Sequence, residues 1–435
     1  METLSRFWKF FLGPDRTSLR DYAKDVIVRF KRESLFQNSV YLMMSTAIMA
    51  VFGFVFWIIT AHMYTPDQVG FATALISVTS LLSGLSLFGF NTALLKYLPK
   101  SEKPNTIINT AIIMVALVTV VLSAIYVIGI GYIAPQFGLL KSVPTYGALF
   151  IIFMIAVSIN SLTDSVFIAY RASKYNFIVY AFFGLTKVIL PAFLLRYGSF
   201  GIFFAYTGSV LVALALSFYF MAAKFNYKAY WIIEGDTVKK MATFSVANYA
   251  ASFLSSVPTF TLPLLIVNRL GNAQSAYYYI AAAIVALLYV VPTATAQSLL
   301  AEGAHNENEL NAFVKNALKL VGLLLGIGIV GIALLGHYVL LVFGTSYAAN
   351  GFWLLQIMSV TSLFLSINYI GATVLRVKQQ LNALVWVNIG YVVVTMALIF
   401  WWLRYGILGA GWALLGGQMF ACLEYLFFWL RRSRS

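Results

Sequence analysis

Apolar residues run through this chain in stretches of about 20, each closed by a short polar turn, and a stretch of that length crosses the hydrocarbon core of a bilayer as an α-helix. Twelve such stretches are counted. The first covers residues 37–61, the turn Thr65-Pro66-Asp67 follows, and the second ends near Leu95 with Gly89-Phe90-Asn91 inside it. The third covers 106–130, the fourth 144–170, the fifth holds Lys187 and Pro191, and the sixth ends near Ala223. After a polar connection come 244–268, 276–300 and 313–336, then three more that end at Leu375, at Leu403 and near Leu430. Strands of a membrane β-barrel would be shorter and polar at alternate positions, which this sequence is not. The pattern predicts an all-α integral membrane protein with 12 transmembrane helices.

The turns repeat. Leu195-Arg196-Tyr197-Gly198 returns 208 residues later as Leu403-Arg404-Tyr405-Gly406, Arg171 and Arg376 are 205 apart, and Phe137-Gly138 meets Phe343-Gly344 at 206. Asn91 faces a second amide, Gln297, at the same offset, and Pro66-Asp67 falls at Asn272-Ala273. So long a period is that of a duplicated transporter and not of a solenoid. Six spans per half is an even number, so the two six-helix repeats are parallel, related by an axis along the membrane normal. The expected organisation is an amphipathic segment 1–36, an N-terminal lobe 37–223, a linker 224–243, a C-terminal lobe 244–430 and a basic tail 431–435.

Composition and charge sharpen the topology. With 61% hydrophobic and 10% charged residues the chain falls outside the soluble class. Its net charge of +15 is unevenly placed: 24 of the 29 Lys and Arg fall on the side that holds both termini, four on the other, and Lys187 lies within a span. That bias predicts cytoplasmic termini in a multi-pass protein of the cell membrane, plasma or inner. The basic excess is therefore a topology signal with some attraction to anionic membrane lipids, and no nucleic acid is expected as a partner. The aromatic-basic run Arg6-Phe7-Trp8-Lys9-Phe10-Phe11 and the capping pattern Ser18-x-x-Asp21 fit a helix lying on the cytoplasmic leaflet. No signal peptide is read in the first 36 residues. Cys422 is the only cysteine, so it excludes an internal disulfide and is read as packing.

Several patterns carry no chemistry. Gly326-Ile327-Gly328-Ile329-Val330-Gly331 matches a dinucleotide fingerprint in letters but lies inside a span, without the required strand. Gly322-x-x-x-Gly326 is read as close helix packing. His62, His305 and His337 are scattered, so neither a metal site nor a cofactor is expected. The short outer loops leave no room for the catalytic groups of a membrane enzyme.

Lys187 lies about eleven residues beyond a turn, roughly 16 Å deep by helical rise. A lysine there is costly and marks a functional site by default. The alternative is an ion pair with Asp164, expected at comparable depth on the preceding span. Asp164 and Glu424 are the acidic groups within spans, as coupling sites or as hydrogen-bonded structural groups. Pro258 and Pro263 interrupt the seventh span, while Phe52 and Trp57 stand at the equivalent places of the first; a hinge and a static kink both fit.

The 54–99 unit, the Asn268-Arg269-Leu270-Gly271-Asn272-Ala273 turn, Phe343-Gly344-x-x-Tyr347 and Leu375-Arg376-Val377-Lys378 resemble the oligosaccharide flippases of polysaccharide biosynthesis. These belong to the multidrug/oligosaccharidyl-lipid/polysaccharide exporter superfamily, with the multidrug and toxin extruders and the peptidoglycan-precursor flippase. The resemblance implies two six-helix lobes around a V-shaped cavity lined mainly by spans 1, 2, 7 and 8. It also implies alternating access that carries a lipid-diphosphate-linked oligosaccharide from the cytoplasmic to the outer leaflet. On that reading Asn91, Asn248 and Gln297 lie in cavity spans, where amides suit sugar hydroxyls or glue helices together. Lys96, Arg171 and Arg376 end spans where a diphosphate headgroup would be captured, although basic residues stand at helix ends for topology alone. Implied partners are the lipid-linked glycan, membrane lipids and other glycan-assembly proteins. The competing function is a cation-coupled multidrug extruder, which calls for several acidic groups in the cavity.

Overall fold

The computed structural model describes residues 34–239, 241, 249, 253–305 and 309–432. The surface helix expected before residue 34, most of the basic tail and Asn248 lie outside the described residues. Among the described residues there is no strand. The first half contains α1 (Ser34–Met63), α2 (Pro66–Leu87), α3 (Phe90–Tyr97), α4 (Pro104–Ile133), α5 (Pro144–Ala169), α6 (Ser173–Phe193) and α7 (Ser199–Phe225). The second contains α8 (Val257–Leu270), α9 (Asn272–Leu288), α10 (Val290–His305), α11 (Leu310–Leu341), α12 (Thr345–Val377), α13 (Leu381–Trp402) and α14 (Ile407–Arg432). Among the described residues ten helices are long and apolar enough to cross a membrane, and α9 with α10 makes an eleventh span bent by 41°. The shorter apolar α8 stands where the seventh span was expected. We call the face where α1 begins and α14 ends the terminal side, and the opposite one the far side.

Local chemistry sets the helix limits. Pro66 occupies the first turn of α2, where its missing N–H costs nothing, and Thr65 and Gln68 form a reciprocal capping box, Gln68 N–H to Thr65 Oγ1 at 3.3 Å and Thr65 N–H to Gln68 Oε1 at 3.1 Å. The second span is not continuous. Phe88 and Gly89 both adopt left-handed backbone (φ 44° and 81°), which ends α2 and re-aims the chain into α3. The duplication is visible atom by atom. Leu195–Tyr197 and Leu403–Tyr405 are both 3₁₀ turns, and in each the Arg donates to the adjacent Tyr hydroxyl, at 2.7 Å and 2.8 Å. The Arg171 and Gln379 turns match too: both residues have left-handed backbone, and the next amide bonds the carbonyl five residues back, Ala172 to Phe167 and Gln380 to Leu375, each at 2.8 Å.

The linker is clamped. Asn105, Thr106, Asn109 and Thr110, one face of the first turns of α4, hold residues 226–234: Asn109 Nδ2 donates to the Lys228 carbonyl at 2.9 Å, Tyr227 Oη to Asn109 Oδ1 at 2.7 Å, and Thr106 pairs with the Tyr230 hydroxyl at 3.1 Å. One expectation is corrected. A Cβ added at Gly322 or Gly326 would meet nothing within 4 Å, so this pair does not pack a helix; Gly328 approaches Leu288, and Gly336 approaches Leu355. The cause is position, since little of α11 is buried and it lies on the outside of the bundle.

The buried residues divide unequally between the two sides. One continuous core on the far side joins both halves, from Phe56, Trp57, Val69 and Phe137 to Ile266, Ala276, Tyr347 and Leu403. On the terminal side there are separate cores, one in the first half around Leu94, Val115 and Phe167, and smaller ones in the second half around Val387 and Leu310. Among the described residues the halves thus share one core on the far side, and on the terminal side only Tyr249 of the second half packs against the first-half core. The seam is tightest where α2 packs on α9: a Cβ added at Gly70 would lie 1.7 Å from the Asn272 carbonyl oxygen. Trp57 against Tyr279 (ring centroids 4.8 Å) and Phe54 against Phe343 (5.1 Å) extend it, and Asn268 Nδ2 donates to the Ile133 carbonyl at 3.0 Å.

Gly70→Val must push α2 off α9, an overpacking that costs about 1–3 kcal/mol. The thermal unfolding midpoint of the purified protein is expected to fall, whereas Gly53→Val, which meets nothing within 4 Å, leaves it unchanged.

Candidate functional site

Where the halves part, a cavity of about 400 Å³ opens between them. One wall is a single face of α2, Ser80, Ser83, Gly84 and Leu87, spaced i, i+3, i+4, i+7; Val157 and Ser161 of α5 and Tyr206 of α7 continue it. The facing wall comes from the second half, Tyr249, Phe253, Ser256 and Phe260. The described cavity is therefore bounded by spans 2, 4, 6 and 7, where the family resemblance implied 1, 2, 7 and 8. The reason is packing: α1 is taken up along α6, and α10 turns away from α9.

The chemistry of this lining is hydroxyl and aromatic. Ser80 and Ser161 donate to carbonyls one turn back, Ile76 at 3.0 Å and Val157 at 3.3 Å, which leaves their lone pairs as acceptors. Ser83 Oγ accepts from Ser158 Oγ at 3.1 Å and keeps its own hydrogen to donate. Phe253 and Phe260 add ring faces. No carboxylate lines the cavity among the described residues. On its terminal side the two walls meet at Gly84: the Tyr249 hydroxyl donates to the Gly84 carbonyl, and the Phe253 ring lies where a Gly84 side chain would be. The chain beyond this contact reaches α8 through the turn at Ser256 that precedes Pro258, with Pro263 inside α8. The turn at Ser255–Ser256 thus sets Phe253 off from α8, and Pro258 stands in the first turn of α8, where its missing N–H costs no helical bond.

Lys187 stands one ring behind this cavity. It is 6% exposed, and its Nζ lies over the rings of Phe56 at 4.9 Å, Phe183 at 5.2 Å and Tyr206 at 5.3 Å. Tyr206 is shared: it cages the ammonium and lines the cavity. Among the described residues no carboxylate pairs with Lys187. The ion pair with Asp164 is not formed because the depths differ. Asp164 lies five residues before the end of α5, about 8 Å along the helix, and Lys187 fourteen after the start of α6, about 21 Å. Asp164 instead accepts from the Tyr180 hydroxyl at 2.5 Å, and Asn176 Nδ2 donates to the Asp164 main-chain carbonyl at 3.3 Å.

The other expected residues are dispersed. Asn91 is half-buried at the start of α3, beyond the break in the second span, and Gln297 is exposed on α10; neither lines the described cavity. Lys96, Arg171 and Arg376 are exposed at helix ends on the terminal side, in three different places. Glu424 of α14 is seated against α13, where a Cβ added at Gly390 would fall 2.5 Å from its carboxylate, away from the cavity. The serines of α2 were not singled out from sequence, although the spacing Ser80-x-x-Ser83-Gly84-x-x-Leu87 could have marked that face. The linker clamp was written in Asn105-Thr106-x-x-Asn109-Thr110.

With Cys422 replaced by Ser, a cysteine at Ser256 is expected to react with a membrane-impermeant maleimide added from the terminal side and to be protected from the far side, where the fused core blocks access. Equal labelling from both sides contradicts this arrangement.

Residues 35–300 match the family model described as polysaccharide biosynthesis protein. No curated protein matches the sequence. Among solved structures, the chain is similar to an inward-facing multidrug resistance MATE family transporter of the MOP superfamily, with a TM-score of 0.73 at 15% identity over 91% of this chain and 98% of that one. An outward-facing MATE family transporter gives 0.63 at 14% identity over 94% and 98%. A MOP superfamily transporter from Pyrococcus furiosus, described by the reverse polarity of its binding pocket, gives 0.63 at 14% identity over 92% and 95%. The fold is that of these membrane transporters, and the chain belongs to the polysaccharide biosynthesis protein family.

Proposed function

We propose that this transporter is a flippase that moves a lipid-diphosphate-linked oligosaccharide from the cytoplasmic to the outer leaflet of the cell membrane by alternating access. On this reading the terminal side is cytoplasmic, in accord with the excess of Lys and Arg there. The observation that carries the proposal is the cavity itself: serine and tyrosine hydroxyls with aromatic faces, no carboxylate among the described lining, and a caged ammonium one ring behind. Hydroxyls that donate and accept suit sugar hydroxyls, and a cation behind the wall suits a diphosphate. An extruder of cationic drugs needs acidic groups in the cavity; Asp164 accepts from Tyr180 and Glu424 lies against α13, both outside the cavity lining.

The fused far-side core supports an inward-open resting form that loads from the cytoplasm. Opening the far side requires parting α2 from α9 while Tyr249 and Phe253 seal Gly84 more fully. The transport step needs no bond chemistry. With the interior negative, outward movement of the diphosphate is downhill by roughly 2.3 kcal/mol per charge per 100 mV.

Deletion from the host is expected to trap a lipid-linked glycan in the inner leaflet; unchanged glycan with new drug sensitivity overturns the proposal. Lys187→Met, close in size and compatible with the ring cage, is expected to fold at wild-type yield and to lower glycan export at least about tenfold, a barrier difference near 1.4 kcal/mol. Full export by Lys187→Met removes the lysine from the mechanism.

A further inference from the structure

A second cavity, of about 330 Å³, lies at the cytoplasmic start of α6, apart from the one between the lobes. Gln37, Asn38 and Tyr41 of α1, the Arg171–Tyr175 turn, and Lys224-Phe225 at the end of α7 line it. Three cations, Arg171, Lys174 and Lys224, converge on it, and no carboxylate lines it among the described residues. The amides at the N-terminus of the 21-residue α6 add a further positive potential. Ser173 is the observation that turns a basic surface into a built site. Ser173 lines the cavity and is 1% exposed, its N–H donates to Asn38 Oδ1 at 2.8 Å, and its buried hydroxyl has no hydrogen-bond partner. A buried hydroxyl left unpaired costs free energy unless a ligand completes it.

The walls are held in place. Tyr170 stacks on Phe225 with centroids 4.8 Å apart and planes 8° apart, and Tyr175 packs against both Phe225 and Phe167. These contacts hold Phe225, and with it the main chain of Lys224, beside the turn that carries Arg171. The equivalent turn of the second half has the same backbone but reads Gln379-Gln380-Leu381, so the fold does not demand this chemistry. The place of the pocket also counts. Fourteen residues along α6 a helix returns to within about 40° of the same face, and there stands Lys187, about 21 Å deeper. The same two helices flank both points, with Asn38 of α1 at Ser173 and Phe56 of α1 at Lys187.

We propose that this pocket binds a phosphate-bearing lipid headgroup and is where the diphosphate of the lipid-linked substrate first docks before moving toward Lys187; the assignment of the substrate rests on the flippase reading. Fork and point-charge donors, a serine hydroxyl and a helix N-terminus together match the several oxygens of a diphosphate. The lipid tail stays in the bilayer beside α1 and α6.

The test uses the full chain in nanodiscs of phosphatidylcholine, titrated with farnesyl diphosphate and with inorganic diphosphate. Farnesyl diphosphate is expected to bind, about tenfold more weakly in Arg171→Gln/Lys224→Gln and about threefold more weakly in Ser173→Ala. Lys141→Gln, a far-side substitution, leaves binding unchanged, and Lys224→Arg restores it. Inorganic diphosphate is expected to compete more weakly. Wild-type affinity in the double variant overturns the site. Inorganic diphosphate binding as tightly as farnesyl diphosphate, or full displacement by phosphatidylglycerol in the nanodisc, overturns substrate docking in favour of a free anion or a bulk lipid. The two proposals fail separately: a glycan that accumulates on deletion while the double variant still binds farnesyl diphosphate sinks the pocket alone. Loss of binding in the double variant without any trapped glycan sinks the flippase alone.

Discussion

The contact of α2 with α9 at Gly70 and Asn272 governs the rest of the structure. A transporter with two parallel halves must join them on one side of the membrane and part them on the other. Here the absence of a single side chain lets two backbones meet and lets one core run through both halves. Everything on the terminal side follows from that fusion. Among the described residues the cores there are separate, the cavity lies between the halves, and Tyr249 meets Gly84 on its terminal side.

Lys187 takes its meaning from the same frame. An ammonium deep in a span is tolerated when something replaces water around it, and three aromatic faces do so here without neutralising the charge. A carboxylate partner would have cancelled the field that an anion entering the cavity could feel. The cage keeps the field and hides the group behind Tyr206, so the cavity surface itself remains uncharged and can accommodate a large polar chain without gripping one part of it. The basic pocket at Ser173 and the caged lysine stand at two depths of one helix.

Much of this was legible in the sequence, and the rest was missed for physical reasons. The spans, the duplicated halves and the turns were readable because span length, turn glycines and the Leu-Arg-Tyr-Gly repeat are local signals; the repeated Arg–Tyr hydrogen bonds and the matched turns at Arg171 and Gln379 show how far the repetition extends. The break at Phe88 was not, since it falls at no proline and the apolar run continues through it; the break at Tyr289 lies one turn before Pro292, whose missing N–H leaves the Leu288 carbonyl without its helical donor, a local signal that was passed over. Depth was misjudged for Lys187 and Asp164 because it depends on where the turn lies: an offset of a few residues on two antiparallel helices separates side chains by twice that rise. The serine face of α2 escaped notice because serine in a span is cheap and common. The amide pair Asn91 and Gln297 shares an offset but not a surface, since span 8 breaks and bends before Gln297.

The central claim is that the cavity carries a glycan on a lipid diphosphate. Its most direct test is protein reconstituted into vesicles with a fluorescent isoprenyl-diphosphate oligosaccharide, scored by the fraction of label that becomes accessible to a membrane-impermeant quencher or lectin. The account predicts protein-dependent translocation that accelerates when the receiving side is made positive. Translocation no faster than in protein-free vesicles, with proton- or sodium-driven movement of a cationic dye in the same preparation, would contradict it.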